Sequence, residues 1–287
     1  MQPEFDAAAR AHIISEALPA IRNLSGQTIV IKYGGAAQTS PELKAAVMGD
    51  IALLHYVGIR PVVVHGGGPE ISKMCAQMGI EAKFVDGMRV TDEATMRVTE
   101  MVLGQIGKEI AQYLGEKGAP AVGLSGKDGG LLRAIKFKSE TDYGLVGQIE
   151  SVDRSVIETL QKGGFVPVVT PVAPGMEGET FNVNADLAAA AIARELKASK
   201  LLLLTDVAGV YRDFSDKSSL IESLTPQQAR QLIESGAVST GMIPKINCCI
   251  EAVLGGVKRA HIVDGRAPHS LLIELFTDAG CGTMIAD

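Results

Sequence analysis

A chain of 287 residues, 46% hydrophobic and 21% charged, is long enough to bury a full core as one large α/β domain or two small ones. Its net charge of −6, with aromatics at 4% and no Trp, excludes the basic, aromatic-lined surface of a nucleic-acid binder. Any anionic ligand must therefore meet positive charge that is local, and apolar runs such as 201–204 are far too short to span a bilayer.

The chain opens on a segment with Phe5, Ala8, Ala9, His12, Ile13, Ala17 and Leu18 at three- and four-residue spacing. This predicts a helix over 1–24 with one apolar stripe, detached from the first strand by Ser25-Gly26. The segment carries acids and is unlike a secretory or transit leader, so a cytoplasmic protein is expected. Short β-branched runs at 28–33, 61–65, 119–124, 166–170, 201–205 and 260–263 then take turns with helical patterns. The helices are expected over 41–57, 69–78, 91–117, 151–162, 185–196, 225–234 and 244–254. The runs are nearly continuous in Val, Ile and Leu, as strands buried on both faces of a parallel sheet are. Strand alternating with helix implies βαβ units and a helix-covered sheet. The runs 131–138 and 145–149, around Asp142-Tyr143-Gly144, read instead as an antiparallel hairpin. The Pro- and Gly-rich stretch 171–178 is the softest internal boundary, between lobes 25–175 and 176–287 of one continuous sheet. Cys75, Cys248, Cys249 and Cys281 show no metal-ligand spacing and read as free thiols of a reducing compartment.

No Walker A, GxGxxG, HExxH or GxSxG pattern is present, so a phosphate site must be built another way. Lys32-Tyr33-Gly34-Gly35 ends the first strand. Its glycine amides are able to converge on an anion beside the lysine; a plain turn with a surface lysine is the alternative. Gly66-Gly67-Gly68-Pro69 comes after the second strand and leads into a helix N-terminus, a ready anion site. Arg89, in Gly87-Met88-Arg89-Val90-Thr91, offers a guanidinium fork for a carboxylate, unless it is simply solvated. Asn182, Asn184 and Asp186 open an alanine-rich helix, where capping needs only one of them. Asp206, Gly209 and Tyr211 sit in a turn at a strand's carboxyl end, where nucleotides bind in parallel sheets. Met242 and Lys245 open a last helix, and a cation at that positive end is unfavourable without an anion nearby.

In this order the segments IKYGGAA, HGGGPE, GMRVT, DYGLVGQI, FNVNAD, TDVAGVY and GMIPK resemble the amino-acid kinase family, from about Ser25 to the end. Within it the likeness is to the arginine-sensitive branch that phosphorylates the side-chain carboxylate of N-acetyl-L-glutamate with ATP. That resemblance implies an open, mainly parallel eight-stranded sheet between helices, with an extra N-terminal helix. It assigns Gly67, Gly68, Arg89 and Asn182 to the acceptor. Lys32 and Lys245 would neutralise the transferring phosphoryl group, Gly35 would donate an amide to it, and Asp186 would orient the two lysines. Gly34, Asp206, Gly209, Tyr211 and Met242 would lie at the nucleotide, whose phosphates would hold Mg²⁺ without a protein metal cage. It also implies a homo-oligomer, a hexamer built as a trimer of dimers through the N-terminal helix. Arginine would bind near His269, Glu274, Gly280 and Gly282. A kinase of an aminoadipate derivative and a non-catalytic arginine-binding regulator of the same fold are the alternatives.

Overall fold

The computed structural model describes residues 6–38, 40–277 and 280–287. Phe5 of the N-terminal stripe lies outside them, as do the side chains of Ala9 and Ile13. In chain order the elements are α1 (Ala7–Leu24), β1 (Thr28–Tyr33), α2 (Pro41–Tyr56), β2 (Arg60–His65), α3 (Gly68–Gln77), β3 (Phe84–Val85), β4 (Met88–Arg89) and α4 (Glu93–Glu116). Next come β5 (Ala121–Ser125), β6 (Leu132–Lys136), β7 (Val146–Val152), α5 (Ser155–Lys162), β8 (Val166–Thr170), β9 (Val172–Pro174), β10 (Thr180–Val183) and α6 (Ala185–Glu195). The last are β11 (Lys200–Thr205), β12 (Ser223–Leu224), α7 (Pro226–Glu234), α8 (Ile243–Leu254), β13 (Arg259–Asp264), α9 (Ser270–Phe276) and β14 (Thr283–Ile285).

The main sheet has eight strands in the order β12-β14-β13-β11-β1-β2-β8-β5. All neighbours run parallel except β14 against β13. Successive side chains of its central strands go to opposite faces, and both faces are covered. Val30, Val62, Leu201 and Leu203 pack with α6 and α8 on one side. Ile29, Ile31, Val63, Leu202 and Leu204 pack with α2, α4 and α9 on the other. This double burial is why the strands read as unbroken apolar runs.

A second sheet, β6-β7-β10-β9, contains the expected hairpin, β6 antiparallel to β7. One expectation needs correcting. The helix drawn over 151–162 begins only at Ser155, because β7 runs on to Val152. The Asp153 side chain then accepts from the Ser155 amide at 2.9 Å and turns the chain into α5. Within the stretch 171–178, β9 pairs antiparallel with β10. The short strands β3, β4, β12 and β14 carry no run long enough to show an alternation, and α9 spans only seven residues.

α1 meets the rest of the chain at α9. Ile14 and Leu18 on it stay 73% and 62% exposed. Cys75, Cys248 and Cys249 are buried free thiols, and Cys281 is a half-buried one.

Candidate active site

β1 and β2 lie side by side with Tyr33 opposite His65, so the two glycine loops leave the same edge of the sheet together. The Gly66 amide donates to the Tyr33 carbonyl at 3.0 Å and ties the loops where they start. At Gly34 a Cβ would stand 3.3 Å from the Lys32 ammonium and 3.6 Å from the Gly66 amide. The first loop thus passes as bare backbone between that charge and the second loop. Gly35 needs glycine for a different reason, its φ of +59°.

Lys32 reaches Asp186 Oδ1 at 2.9 Å, and Lys245 donates to Asp186 Oδ2 at 3.0 Å. One carboxylate therefore holds two ammoniums, brought from β1, the first turn of α6 and the first turn of α8. Burial alone would raise the Asp186 pKa, but the Lys32 and Lys245 charges outweigh it and hold the carboxyl below its usual range. Asn184 is the cap: its side chain accepts from the Asp186 and Leu187 amides, which leaves Asp186 free for the lysines. With two positive charges on one negative, the cluster carries a net charge of about +1, which suits a third, anionic partner. Lys245 at a helix N-terminus is accounted for by that carboxylate.

The acceptor candidates assemble next to this cluster. Gly67 caps α3, and a Cβ there would come within 2.5 Å of Ile106 Cδ1 and 2.8 Å of Leu103 Cδ2, so α4 packs directly on the glycine loop. His65 behind the loop is fully buried, with Nε2 2.9 Å from Thr170 Oγ1 and Nδ1 3.1 Å from the Gly66 carbonyl. Burial pushes its pKa down to about 4, so the ring is neutral at pH 7. Arg89 is 9% exposed and donates through Nη2 to the Gly68 carbonyl at 2.9 Å and to Ser72 Oγ at 2.7 Å. Its Nη1 is buried and has no partner. Asn182 donates to Thr91 Oγ1 at 3.3 Å, and the Leu145 amide donates to the Thr91 carbonyl at 2.6 Å. GMRVT, DYGLVG and FNVN thereby meet in one place through Thr91.

Gly209, Tyr211 and Met242 share a small pocket with Phe214, Val238 and Ser239. A Cβ on Gly209 would sit 2.5 Å from Thr283 Oγ1, the group that accepts from the Val210 amide at 2.8 Å. Asp206 does not line that pocket; its Oδ1 accepts from Thr205 Oγ1 at 3.1 Å at the exit of β11. Tyr211 packs edge-on to Phe214, and the Lys217 ammonium lies over both rings.

Glu274, Gly280 and Gly282 line a cavity between α1 and the C-terminal strands. His269 does not: it caps α9 with a φ of +60° and meets Asp50 Oδ1 at 2.7 Å. The histidine in the cavity is His261, 2.6 Å from Glu274 Oε1, with Lys200 beside them. Glu274 Oε2 accepts from the Cys281 and Gly282 amides, at 2.7 and 3.1 Å. Ser72, Lys200 and His261 were missed from sequence, since each sits within an ordinary helix or strand pattern and carries no turn signal of its own.

The amino acid kinase family model matches residues 27–264. An acetylglutamate kinase of Thermoanaerobacter pseudethanolicus is 55% identical over 98% of this chain and 94% of its own length. One from Synechocystis is 52% identical over the same shares of the two chains. Among solved structures, the N-acetylglutamate synthase of Neisseria gonorrhoeae, complexed with coenzyme A and N-acetyl-glutamate, superposes with a TM-score of 0.85 at 32% identity. It covers 96% of this chain, which spans only 63% of that longer protein. The carbamate kinase of Giardia lamblia bound to AMP-PNP, at 19% identity and a TM-score of 0.69 over 92% of this chain and 99% of that one, shares the fold. The order of glycine loops, the lysine pair on one carboxylate and the full-length matches lead to one conclusion: the chain belongs to the amino-acid kinase family.

Proposed function

We propose that the chain transfers the γ-phosphoryl group of ATP to the side-chain carboxylate of N-acetyl-L-glutamate. The observation that carries this reading is the Lys32–Asp186–Lys245 cluster at the mouth of two glycine loops, at 2.9 and 3.0 Å. The relatives that match nearly the whole chain supply the acceptor's identity. A carboxylate is already a nucleophile at neutral pH, so its oxygen attacks the γ-phosphorus, the bond to the β-phosphate oxygen breaks, and ADP leaves without a general base. The protein's task is to bring two anions together and to balance charge on a loose transition state.

In this reading Lys32 and Lys245 face the phosphoryl oxygens, and the Gly35 amide and the Gly34 backbone complete their cradle. Asp186 holds both ammoniums in place. Gly67 and Gly68 amides, Arg89 and Asn182 hold the acceptor; Asp206, Gly209, Tyr211 and Met242 hold the nucleotide. Both oxygens of Asp186 are already engaged by lysines, and no group of three or more His, Cys, Asp or Glu among the described residues is placed to hold a metal ion. In this reading Mg²⁺ comes with the nucleotide, as MgATP. A coupled assay of ADP release with N-acetyl-L-glutamate, and with N-acetyl-L-aminoadipate alongside, tests the assignment. Turnover with neither, or with the aminoadipate derivative alone, overturns it.

The cavity beneath α1 favours arginine as a feedback inhibitor. Glu274 and the 280–282 loop offer acceptors for a guanidinium and an ammonium, while Lys200 offers a counter-charge for a carboxylate. Burial, with the Arg259 charge close by, holds the Lys200 pKa below its usual value. The exposed Ile14 and Leu18 of α1 are covered in this reading by a second copy, and dimers join through α1 into a hexamer. Since α1 lines the cavity through Glu16, Pro19 and Asn23, arginine binding and assembly are linked. Deleting residues 1–23 is expected to give dimers that keep most of their activity and respond to arginine only at much higher concentration. Sedimentation and inhibition curves on one preparation check this, and an unchanged hexamer or an unchanged arginine response speaks against it.

A further inference from the structure

We propose that Ser72 is a positioning residue for the acceptor, acting through Arg89; the inference rests on the assignment of Arg89 to the acceptor carboxylate. A guanidinium Nη2 carries two hydrogens. Here both have partners: the Gly68 carbonyl at 2.9 Å and Ser72 Oγ at 2.7 Å. Nη2 therefore has nothing left to offer a ligand. Nη1, on the other branch of the same fork, is buried without a partner. An unpaired buried donor on a side chain that is only 9% exposed is costly, and it is the donor that a bound carboxylate satisfies. Burial also lowers the Arg89 pKa, which is what a cation lacking its counter-ion should show.

Three contacts fix the plane of the fork. Gly68 O and Ser72 Oγ hold one edge, and the Phe84 ring lies 4.7 Å from Cζ. Gly68 and Ser72 are one turn apart at the start of α3, so their acceptors are stacked on one side of that helix. Gly68 belongs to the glycine loop and cannot lose its carbonyl; Ser72 is the partner that sequence is free to change. Without its hydroxyl, Nη2 regains a free hydrogen and the guanidinium is able to swing. The acceptor then meets a cation of the right charge whose direction is no longer set. The expected loss is in acceptor affinity, because the ordering of Arg89 must be supplied at binding rather than beforehand. The residues assigned to the nucleotide make none of these contacts.

The test is a double-mutant cycle on the full-length enzyme, with Ser72→Ala, Arg89→Ala and the pair. Ser72→Ala is expected to raise the KM for N-acetyl-L-glutamate by roughly 5- to 20-fold, a lost hydrogen bond to a charged group, with the KM for ATP and kcat within about twofold. Ser72→Thr, which keeps the hydroxyl, restores most of the affinity. In the Arg89→Ala background, removing the Ser72 hydroxyl adds nothing further. Equal losses from Ser72→Ala in both backgrounds, or no change in the wild-type background, overturn the proposal. An Arg89→Ala enzyme with normal acceptor KM instead overturns the assignment of Arg89 itself, a separate and distinguishable failure.

Discussion

Lys32→Ala and Lys245→Ala are each expected to lower kcat by about 10²-fold or more while changing either KM far less. The two ammoniums share a single carboxylate, so removing one takes the cluster from an excess of positive charge to about neutrality. Ground-state ATP is expected to lose little, because in the proposed site its phosphates still meet the glycine amides. The transition state loses more, because charge there spreads onto oxygens between the attacking and leaving groups. Asp186→Asn should fall in the same range for another reason: it leaves both lysines charged but unaimed, in mutual repulsion, in a site where the carboxylate is 8% exposed. Steady-state kinetics over both substrates checks this. A lysine variant with intact kcat and only weakened substrate binding removes these side chains from the phosphoryl group.

Arg89→Ala is expected to raise the KM for N-acetyl-L-glutamate by roughly 10- to 10³-fold, a loss of about 1.5–4 kcal/mol for a charge-assisted clamp. The KM for ATP should barely move. Part of the loss is structural, since Ser72 Oγ and the Gly68 carbonyl lose a donor when the guanidinium goes. Arg89→Lys separates the two contributions. A lysine ammonium keeps the charge but cannot serve Gly68, Ser72 and a ligand from one rigid plane, so an intermediate KM is expected. If ATP binding suffers as much as acceptor binding, Arg89 stands on the wrong side of the reaction centre.

The central strands were legible in the sequence because burial on both faces leaves an unbroken apolar run; β1 and β8 match their expected bounds of 28–33 and 166–170. The glycine loops were legible in part because one position in each accepts only glycine. Gly67 faces Ile106 and Leu103, and Gly35 has a positive φ. What stayed hidden depends on distance along the chain. Ser72 gains meaning only when β4 folds back over α3, and His261 only when α9 and α1 close over β13. His269, one residue beyond a proline and just before a helix, carries a stronger local signal than His261. Yet its ring goes to the buried Asp50 of α2, and its left-handed backbone explains its place at the head of α9. β12 and β14 extend the sheet with strands of two and three residues, which have too little alternation to be read.

β1 sits between β2, which comes soon after it in the chain, and β11, whose Lys200 pairs with Ile29 from far down the chain. The strand that carries Lys32 is thus half-assembled early and finished late. During synthesis, β2 and α3 have their partners, and β1 one of its two, while Asp186 and Lys245 are still to come. Both glycine loops exist before any carboxylate is there to restrain Lys32. Contacts of this sequence separation are slow to form, because the loop they close is long. The cluster proposed to handle phosphate is therefore a record of completed folding. A chain stalled or cleaved between α6 and α8 keeps both glycine loops, but not the second lysine of the cluster.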